Sequence, residues 1–182
     1  ARASSVSLAS SRACSVAQAP SHPGAPPSAA AASAGMGVVV DVMFAHTQSV
    51  LPTLKGAART AALQSAFDLA VARINSAFDA SLITARVKLV RIHETRYDED
   101  LSLVTKVQDD ALTALYKPAD GKMDDVHAAR DAAGADVVCL VLQRNDAVSS
   151  GLSFLLDDPA DNTNPLYAFS VVQYGSATSG NV

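Results

Sequence analysis

The sequence predicts an α/β domain with a mixed, mostly parallel sheet that is covered by helices. Residues 137–142 are all apolar or cysteine, which is typical of a strand buried on both faces of a sheet. Residues 38–44 form another valine-rich run, interrupted only by Asp41, and a long helical pattern lies between the two runs. Strands that alternate with helices in this way indicate a parallel sheet.

The composition divides the chain at residue 35. Residues 1–35 are rich in Ala, Ser and Pro and contain no aromatic side chain. Such a segment buries too little apolar surface to offset the entropy lost on ordering, so we expect a disordered leader. Residues 36–182 are expected to form the globular domain. Because the chain begins at Ala1 and ends without a closing element, we expect a fragment of a longer protein.

The charge of the chain argues against a nucleic acid partner, and the length of its apolar runs argues against a membrane. Only 18% of the residues are charged, the formal net charge is -4 and the isoelectric point is about 5.4. These values predict no basic face for a nucleic acid backbone. The apolar runs of the globular part are far shorter than the ~18 residues that span a bilayer, so we expect no membrane segment.

The first half of the domain predicts a strand, a helix and a second strand. The apolar residues of the helix recur at steps of three and four and form one stripe, which we expect to cover the sheet. This stripe consists of Leu63, Phe67, Ala70, Val71, Ile74 and Phe78. Residues 82–93 predict the second strand, with Val87 and Arg91 on one face and Ile92 on the other. Because this strand carries charges on both faces, we expect it to lie nearer an edge of the sheet than residues 137–142.

The second half adds two helices and three strands. Residues 101–116 predict one helix, and residues 123–134 predict a shorter helix that leads into the buried strand at residues 135–142. Residues 151–156 and 168–174 are short apolar runs with no helical pattern between them. We therefore expect two short strands that follow each other directly.

No group of side chains in the sequence predicts a complete active site. His46 has no partner at metal-ligand spacing, and His93 and Glu94 are neighbours on a strand, so their side chains point to opposite faces. Asp124 and His127 are three residues apart on a helix, but two ligands do not make a site. We expect Asp124 to be an acid of the first helical turn and His127 to be a surface or packing residue.

Cys139 lies in the buried strand and is expected to pack as a small apolar residue. Motifs that mark a serine nucleophile or a phosphate-binding loop do not occur in the chain, since it contains none of the patterns G-x-S-x-G, G-x-G-x-x-G and G-x-x-x-x-G-K-[ST]. The residues by themselves therefore indicate no catalytic chemistry.

Six sequence blocks follow one another at residues 38–47, 61–78, 87–100, 120–142, 151–156 and 168–178. Their order and spacing resemble the upstream half of a metzincin zinc metalloendopeptidase, and in particular the reprolysin-like group that includes the peptidyl-Asp metalloendopeptidases. The resemblance implies that the sheet and its helices correspond to the upper subdomain of a metzincin catalytic domain. It also implies a secreted or extracellular protein that acts on peptide or protein substrates.

In that family the helix H-E-x-x-H-x-x-G-x-x-H follows the strand that resembles residues 168–174. The motif supplies three histidine ligands to zinc and a glutamate general base, and the zinc activates the attacking water. It does not occur in residues 1–182. The resemblance therefore implies the N-terminal half of a catalytic domain, with its catalytic and metal-binding residues expected beyond Val182, so that this fragment alone is inactive.

The resemblance also assigns a substrate role to the strand after residue 150. In the family this strand is an edge strand next to the zinc, and its free peptide groups would pair with an extended peptide substrate. The residues concerned are Gly151, Leu152, Ser153 and Phe154. The sequence departs from the family at Ser150 and Ser176, where related proteins carry cysteines, which is consistent with the loss of a disulfide.

Two other interpretations of the same pattern stay open. Alternating strands and helices also resemble the first lobe of a periplasmic-type small-molecule binding protein, in which the ligand lies at the carboxyl ends of the strands. A truncated product without any activity is the other alternative. The two short strands at residues 151–156 and 168–172, with no helix between them, favour the protease interpretation over a series of βα units.

Overall fold

The strand β1, Val39–Thr47, lies inside the sheet, because it pairs with a parallel strand on each side. The structure, a computed structural model, describes residues 37–100, 106–143, 149–155 and 165–179. The chain divides into two units after Gly35, and every described residue belongs to the second unit. The leader predicted at residues 1–35 lies outside the described residues.

The described elements alternate between strands and helices for most of the chain. The further strands are β2 Arg86–Thr95, β3 Val137–Leu142, β4 Gly151–Ser153 and β5 Phe169–Gln173. The helices are α1 Gly56–Ala80, α2 Val107–Tyr116, α3 Asp124–Ala133 and α4 Tyr174–Ser179, with a short 3₁₀ helix at Pro165–Ala168.

The five strands form one mixed sheet in the order β2-β1-β3-β5-β4. β1, β2, β3 and β5 are parallel, and β4 runs antiparallel to β5 at the edge. The predicted α/β fold with a mixed, mostly parallel sheet is thereby confirmed. β2 lies at the other edge, as its charges predicted.

Both faces of the sheet are buried, and β1 shows how this follows from its sequence. Val42 and Phe44 face α1, where the ring of Phe44 stacks on that of Phe67 at 4.6 Å between ring centres. Met43 and Ala45 alternate with them and pack on the other face, among side chains from α2 and α3. Each large apolar side chain that is fully buried contributes about 1.5–3 kcal/mol, so the two faces together stabilise the sheet.

The sequence-based bounds and faces of β2 were wrong in two respects. The strand begins at Arg86 and ends at Thr95, so it is shifted relative to residues 82–93. Its pairing with β1 also shifts register where Leu89 pairs with Val42 and Arg91 with Met43, which leaves Val90 as an extra residue. This β-bulge reverses the alternation after it, so Ile92 lies on the same face as Val87.

The helix bounds also differ from the sequence patterns. Within the described residues the second helix begins at Val107, and residues 101–105 lie outside them. α3 ends at Ala133, and the following residue Gly134 has a positive φ of 63°, which allows the chain to turn directly into β3. In the part of the chain that the structure describes, no helix is both long and apolar enough to cross a membrane.

Candidate functional site

β4 forms the open edge of the sheet next to β5. Gly151 pairs with Val172, Leu152 with Val171 and Ser153 with Ser170. Among the described residues, nothing pairs with the outer side of β4. The structure therefore brings Gly151, Leu152 and Ser153 together on one edge strand, and Phe154 follows directly after it.

The register of β4 determines which of its peptide groups face outward. The N–H of Gln173 donates to the carbonyl oxygen of Ser150 at 3.0 Å, so this pair is of the hydrogen-bonded kind. Hydrogen-bonded and non-hydrogen-bonded pairs alternate along an antiparallel ladder. Because of this alternation, the N–H and C=O groups of Gly151 and Ser153 point away from β5 and toward the free side.

The side chains of this segment divide between core and solvent. Leu152 and Phe154 pack against the cluster under α2, and the ring of Phe154 meets that of Tyr116 edge-on at 5.1 Å. A Cβ atom on Gly151 would lie 3.0 Å from the carbonyl oxygen of Val171, so a larger residue there would need this carbonyl to move by a few tenths of an ångström. The packed side chains hold the segment. The hydroxyl of Ser149 bonds both the N–H and the C=O of Gly151, so among the described residues Ser153 has the outward peptide groups that are left for another strand.

A buried carboxylate fills the crevice at the carboxyl ends of β1 and β3. Glu99, which is 7% exposed, accepts hydrogen bonds from the hydroxyl of Thr47 and, at 2.9 Å, from the N–H of Gln143. The chain passes from β1 to β2 on one side and places β3 on the other, which makes this crevice the topological switch point of the sheet. Ligands of doubly wound folds usually bind at such a point. Here the protein's own side chain occupies it.

A cavity of about 470 Å³ lies at the carboxyl ends of β1 and β2. It is lined by His46, Arg59 and Glu94 among others. Arg59 forms an ion pair with Glu94, and its Nε donates to the carbonyl oxygen of Val50 at 3.0 Å. The Nδ1 atom of the buried His46 lies 3.1 Å from the carbonyl oxygen of Thr47. These bonds fasten the loop after β1 to α1.

Burial lowers the pKa of His46 below its ordinary value of 6.5, because the charged ring loses solvation. The bond with the carbonyl of Thr47 acts in the opposite direction, and the positive charge of Arg59 adds a smaller lowering effect. His46 is therefore neutral at neutral pH, and its place in the cavity is that of a packed side chain with one hydrogen bond.

The other histidines of the described chain lie apart from this cavity. His93 faces α3, where its Nε2 lies 2.7 Å from a carboxylate oxygen of Asp125, while Glu94 faces α1. The prediction that these two neighbours point to opposite faces is confirmed. The ring of His127 packs against Phe169 at 5.2 Å. No group of three or more His, Cys, Asp or Glu residues suited to a metal ion occurs in the described residues.

The surroundings of Cys139 and Asp124 account for both residues structurally. Burial raises the pKa of the Cys139 thiol to about 11, so the reactive thiolate is scarce at neutral pH. Asp124 lies in the first turn of α3, as predicted, and accepts a hydrogen bond of 3.1 Å from the N–H of Gly121. Neither residue is placed for catalysis.

Sequence patterns did not single out Glu99, Arg59 or Gln108. Glu99 belongs to the acidic run after β2, which resembles a solvated segment, and Arg59 belongs to the polar side of a helix. Arg59 and Gln108 lie near the beginnings of α1 and α2, and Glu99 lies four residues after β2, which are not distinctive positions. Their partners lie far along the chain, since Glu99 binds Thr47 and Gln108 binds Ser149.

The comparisons with known proteins bear on the fold alone. No family model and no curated protein matches the chain. Among solved structures, one described as the structure of a chaperone-substrate complex aligns with 79% of this chain at a TM-score of 0.53 and 11% sequence identity. The aligned region is 23% of that structure's chain, so this protein spans less than a quarter of its length.

We expect that Glu99→Ala lowers the free energy of unfolding by about 3 kcal/mol, because the buried hydroxyl of Thr47 and N–H of Gln143 lose a charged acceptor. Urea denaturation measures this change. Asp98→Asn, at the exposed neighbouring position, is the control and is expected to change stability by less than about 0.5 kcal/mol. A loss no larger than that of the control would contradict the bridging role of Glu99.

We expect the free energy of unfolding to fall as the pH drops below 6.5, and part of this fall to come from His46. The unfolded chain takes up a proton at this histidine near its ordinary pKa, whereas burial lowers the pKa in the folded state, so acid favours unfolding. In His46→Gln this contribution disappears, and the stability of the variant is expected to depend less on pH. Urea denaturation of both proteins between about pH 7.5 and pH 5 tests this, and equal slopes would refute it.

Proposed function

We propose that this domain is the substrate-binding half of a zinc-dependent metalloendopeptidase, and that β4 with Phe154 aligns an extended peptide substrate. The observation that carries the proposal is the geometry of β4. It is the only antiparallel strand among the described elements, and it lies at the edge of the sheet with the peptide groups of Gly151 and Ser153 directed outward. An extended peptide can add to such an edge as a further strand.

The packing of β4 supports this role. Exposed edge strands are ordinarily protected by charged residues or proline. The segment 151–155 contains neither, and its side chains are small or apolar. β2, at the opposite edge, carries Arg86, Lys88 and Arg91 on exposed positions. Of the two edges, β4 is thus the one suited to pair with another chain.

The binding-protein alternative receives less support from the same structure. A lobe that holds a small molecule at the switch point between β1 and β3 needs an open crevice there. The cavity of about 470 Å³ lies beside that point, at the ends of β1 and β2. Glu99 fills the crevice between β1 and β3, and the side chain of Gln143 reaches across to accept a hydrogen bond of 3.1 Å from the N–H of Leu51. A series of βα units also gives parallel strands, whereas β4 is antiparallel.

The described residues do not fit a zinc site, because they contain no suitable group of three His, Cys, Asp or Glu side chains. The proposal therefore assigns the zinc ligands and the catalytic glutamate to residues that follow Val182 in the full protein. Residues 1–182 alone are expected to bind peptide without cleaving it. Extracellular location and peptide or protein substrates are part of the same proposal.

The coding sequence after Val182 tests this proposal directly. We expect the pattern H-E-x-x-H-x-x-G-x-x-H within about thirty codons, since three histidines at this spacing provide the zinc ligands of metzincins. The protein with its continuation should hydrolyse β-casein, lose activity with 1,10-phenanthroline and recover it with zinc. A continuation without such histidines, or hydrolysis that is insensitive to the chelator, would refute the metalloendopeptidase proposal.

A variant of the edge strand tests the role of β4 in the same protein. Ser153→Pro removes the outward N–H and leaves the ladder with β5 intact, because that N–H faces the free side. We expect kcat/KM for β-casein to fall at least about tenfold, since a substrate hydrogen bond is lost and the ring obstructs pairing. Ser153→Ala retains the N–H and should lose less. Equal losses in both variants would indicate that the hydroxyl, rather than strand pairing, matters.

A further inference from the structure

The carbonyl oxygen of Ser149, at the entrance to β4, accepts hydrogen bonds from two side-chain amides. The Nε2 atom of Gln108 donates from α2 at 2.9 Å, and the Nε2 atom of Gln173 donates from the end of β5 at 2.5 Å. Both glutamines are buried, at 4% and 5% exposure. Two separate elements thus hold the same backbone atom, and we call this arrangement the amide clamp.

The amide clamp continues into the strand through short local bonds. The N–H of Gln173 donates to the carbonyl oxygen of Ser150, and the hydroxyl of Ser149 donates to the carbonyl oxygen of Gly151 at 2.6 Å. The ladder between β4 and β5 itself covers only three residue pairs. A ladder this short stabilises a strand weakly, so the bonds at its entrance contribute a large part of its order.

Stability does not explain the choice of glutamine at position 108. The Oε1 atom of Gln108 is buried and has no hydrogen-bond partner within the described residues. A buried acceptor without a partner is unfavourable, and an apolar side chain of similar volume would avoid this cost. What glutamine provides, and leucine does not, is the N–H that binds the carbonyl of Ser149.

We propose that Gln108 and Gln173 are positioning residues that hold β4 in the register which directs the peptide groups of Gly151 and Ser153 outward. A slip by one residue would turn those groups toward β5 and carry Leu152 out of the core. The link to substrate rests on the proposed peptidase function. The effect on the order of β4 does not depend on that function and is measured separately.

Hydrogen exchange of the chain with Gln108→Leu tests the amide clamp. We expect amide hydrogens in residues 149–155 to exchange at least about tenfold faster, because the strand opens locally when the carbonyl of Ser149 loses a donor. The midpoint of thermal unfolding is expected to stay unchanged or to rise, because the unpaired Oε1 atom is removed with the amide. A residue that served the core alone would lower the midpoint and accelerate exchange throughout.

Two further variants complete the experiment. Gln64→Leu makes the same substitution at an exposed position of α1 and should leave exchange in residues 149–155 unchanged. Gln108→Met repeats the test with an unbranched side chain if leucine disturbs α2. Two results would overturn the proposal. One is that amide exchange in residues 149–155 does not change in a folded Gln108 variant. The other is that exchange is faster only because the variant has a lower unfolding midpoint.

Hydrolysis of β-casein by the protein with its continuation separates this inference from the proposed function. We expect Gln108→Leu to raise KM for β-casein by about fivefold or more with little change in kcat, because β4, the strand that binds the substrate, is less ordered before binding. A wild-type protein that neither binds nor cleaves β-casein would reject the peptidase function, whereas the exchange data would still decide the amide clamp. Faster exchange in residues 149–155 of Gln108→Leu together with an unchanged KM would show that the amide clamp orders β4 but has no role in substrate binding.

Discussion

The structure depends on one constraint, which is that β1 and β3 are apolar on both faces. Strands of this kind are stable only when both faces are removed from water. α1 covers one face through Phe67 and Leu63, and α2 and α3 cover the other through Leu115 and Val126. The remaining strands extend the sheet on either side of this central pair, which leaves the functional surface to the ends and edges of the sheet.

The crevice between the carboxyl ends of β1 and β3 is closed by the protein's own side chains. Glu99 bridges β1 and β3, and Arg59 fastens the loop after β1 while it pairs with Glu94. Such bonds satisfy backbone and hydroxyl groups that would otherwise be buried without partners. With this crevice closed, the edge of β4 at Ser153 is a part of the described sheet that combines outward peptide groups with firm packing behind them.

Much of the fold followed from periodicity. The apolar runs placed β1, β3 and β5, and the stripe of α1 contains Leu63, Phe67 and Ala70, all of which are buried. The bulge in β2 breaks the alternation at Leu89 and Val90, but two adjacent apolar residues also occur in a strand that is covered on both faces, so this pattern does not identify a bulge. The bounds of β2 were wrong for a related reason. A strand ends where its partner ends, and β2 follows β1 as far as Thr95, which pairs with Thr47.

The sequence by itself determined the order and type of the main strands and helices and the core-facing stripe of α1, because burial imposes a period of two or 3.6 residues on neighbouring positions. Only the tertiary structure decided that β4 runs antiparallel to β5 and that Gly151 and Ser153 direct their peptide groups outward. It also brought Gln108 to Ser149, 41 residues away, and Glu99 to Thr47, 52 residues away. Local periodicity records whether a residue is buried, whereas the identity of a distant hydrogen-bond partner is fixed only when the packed elements meet.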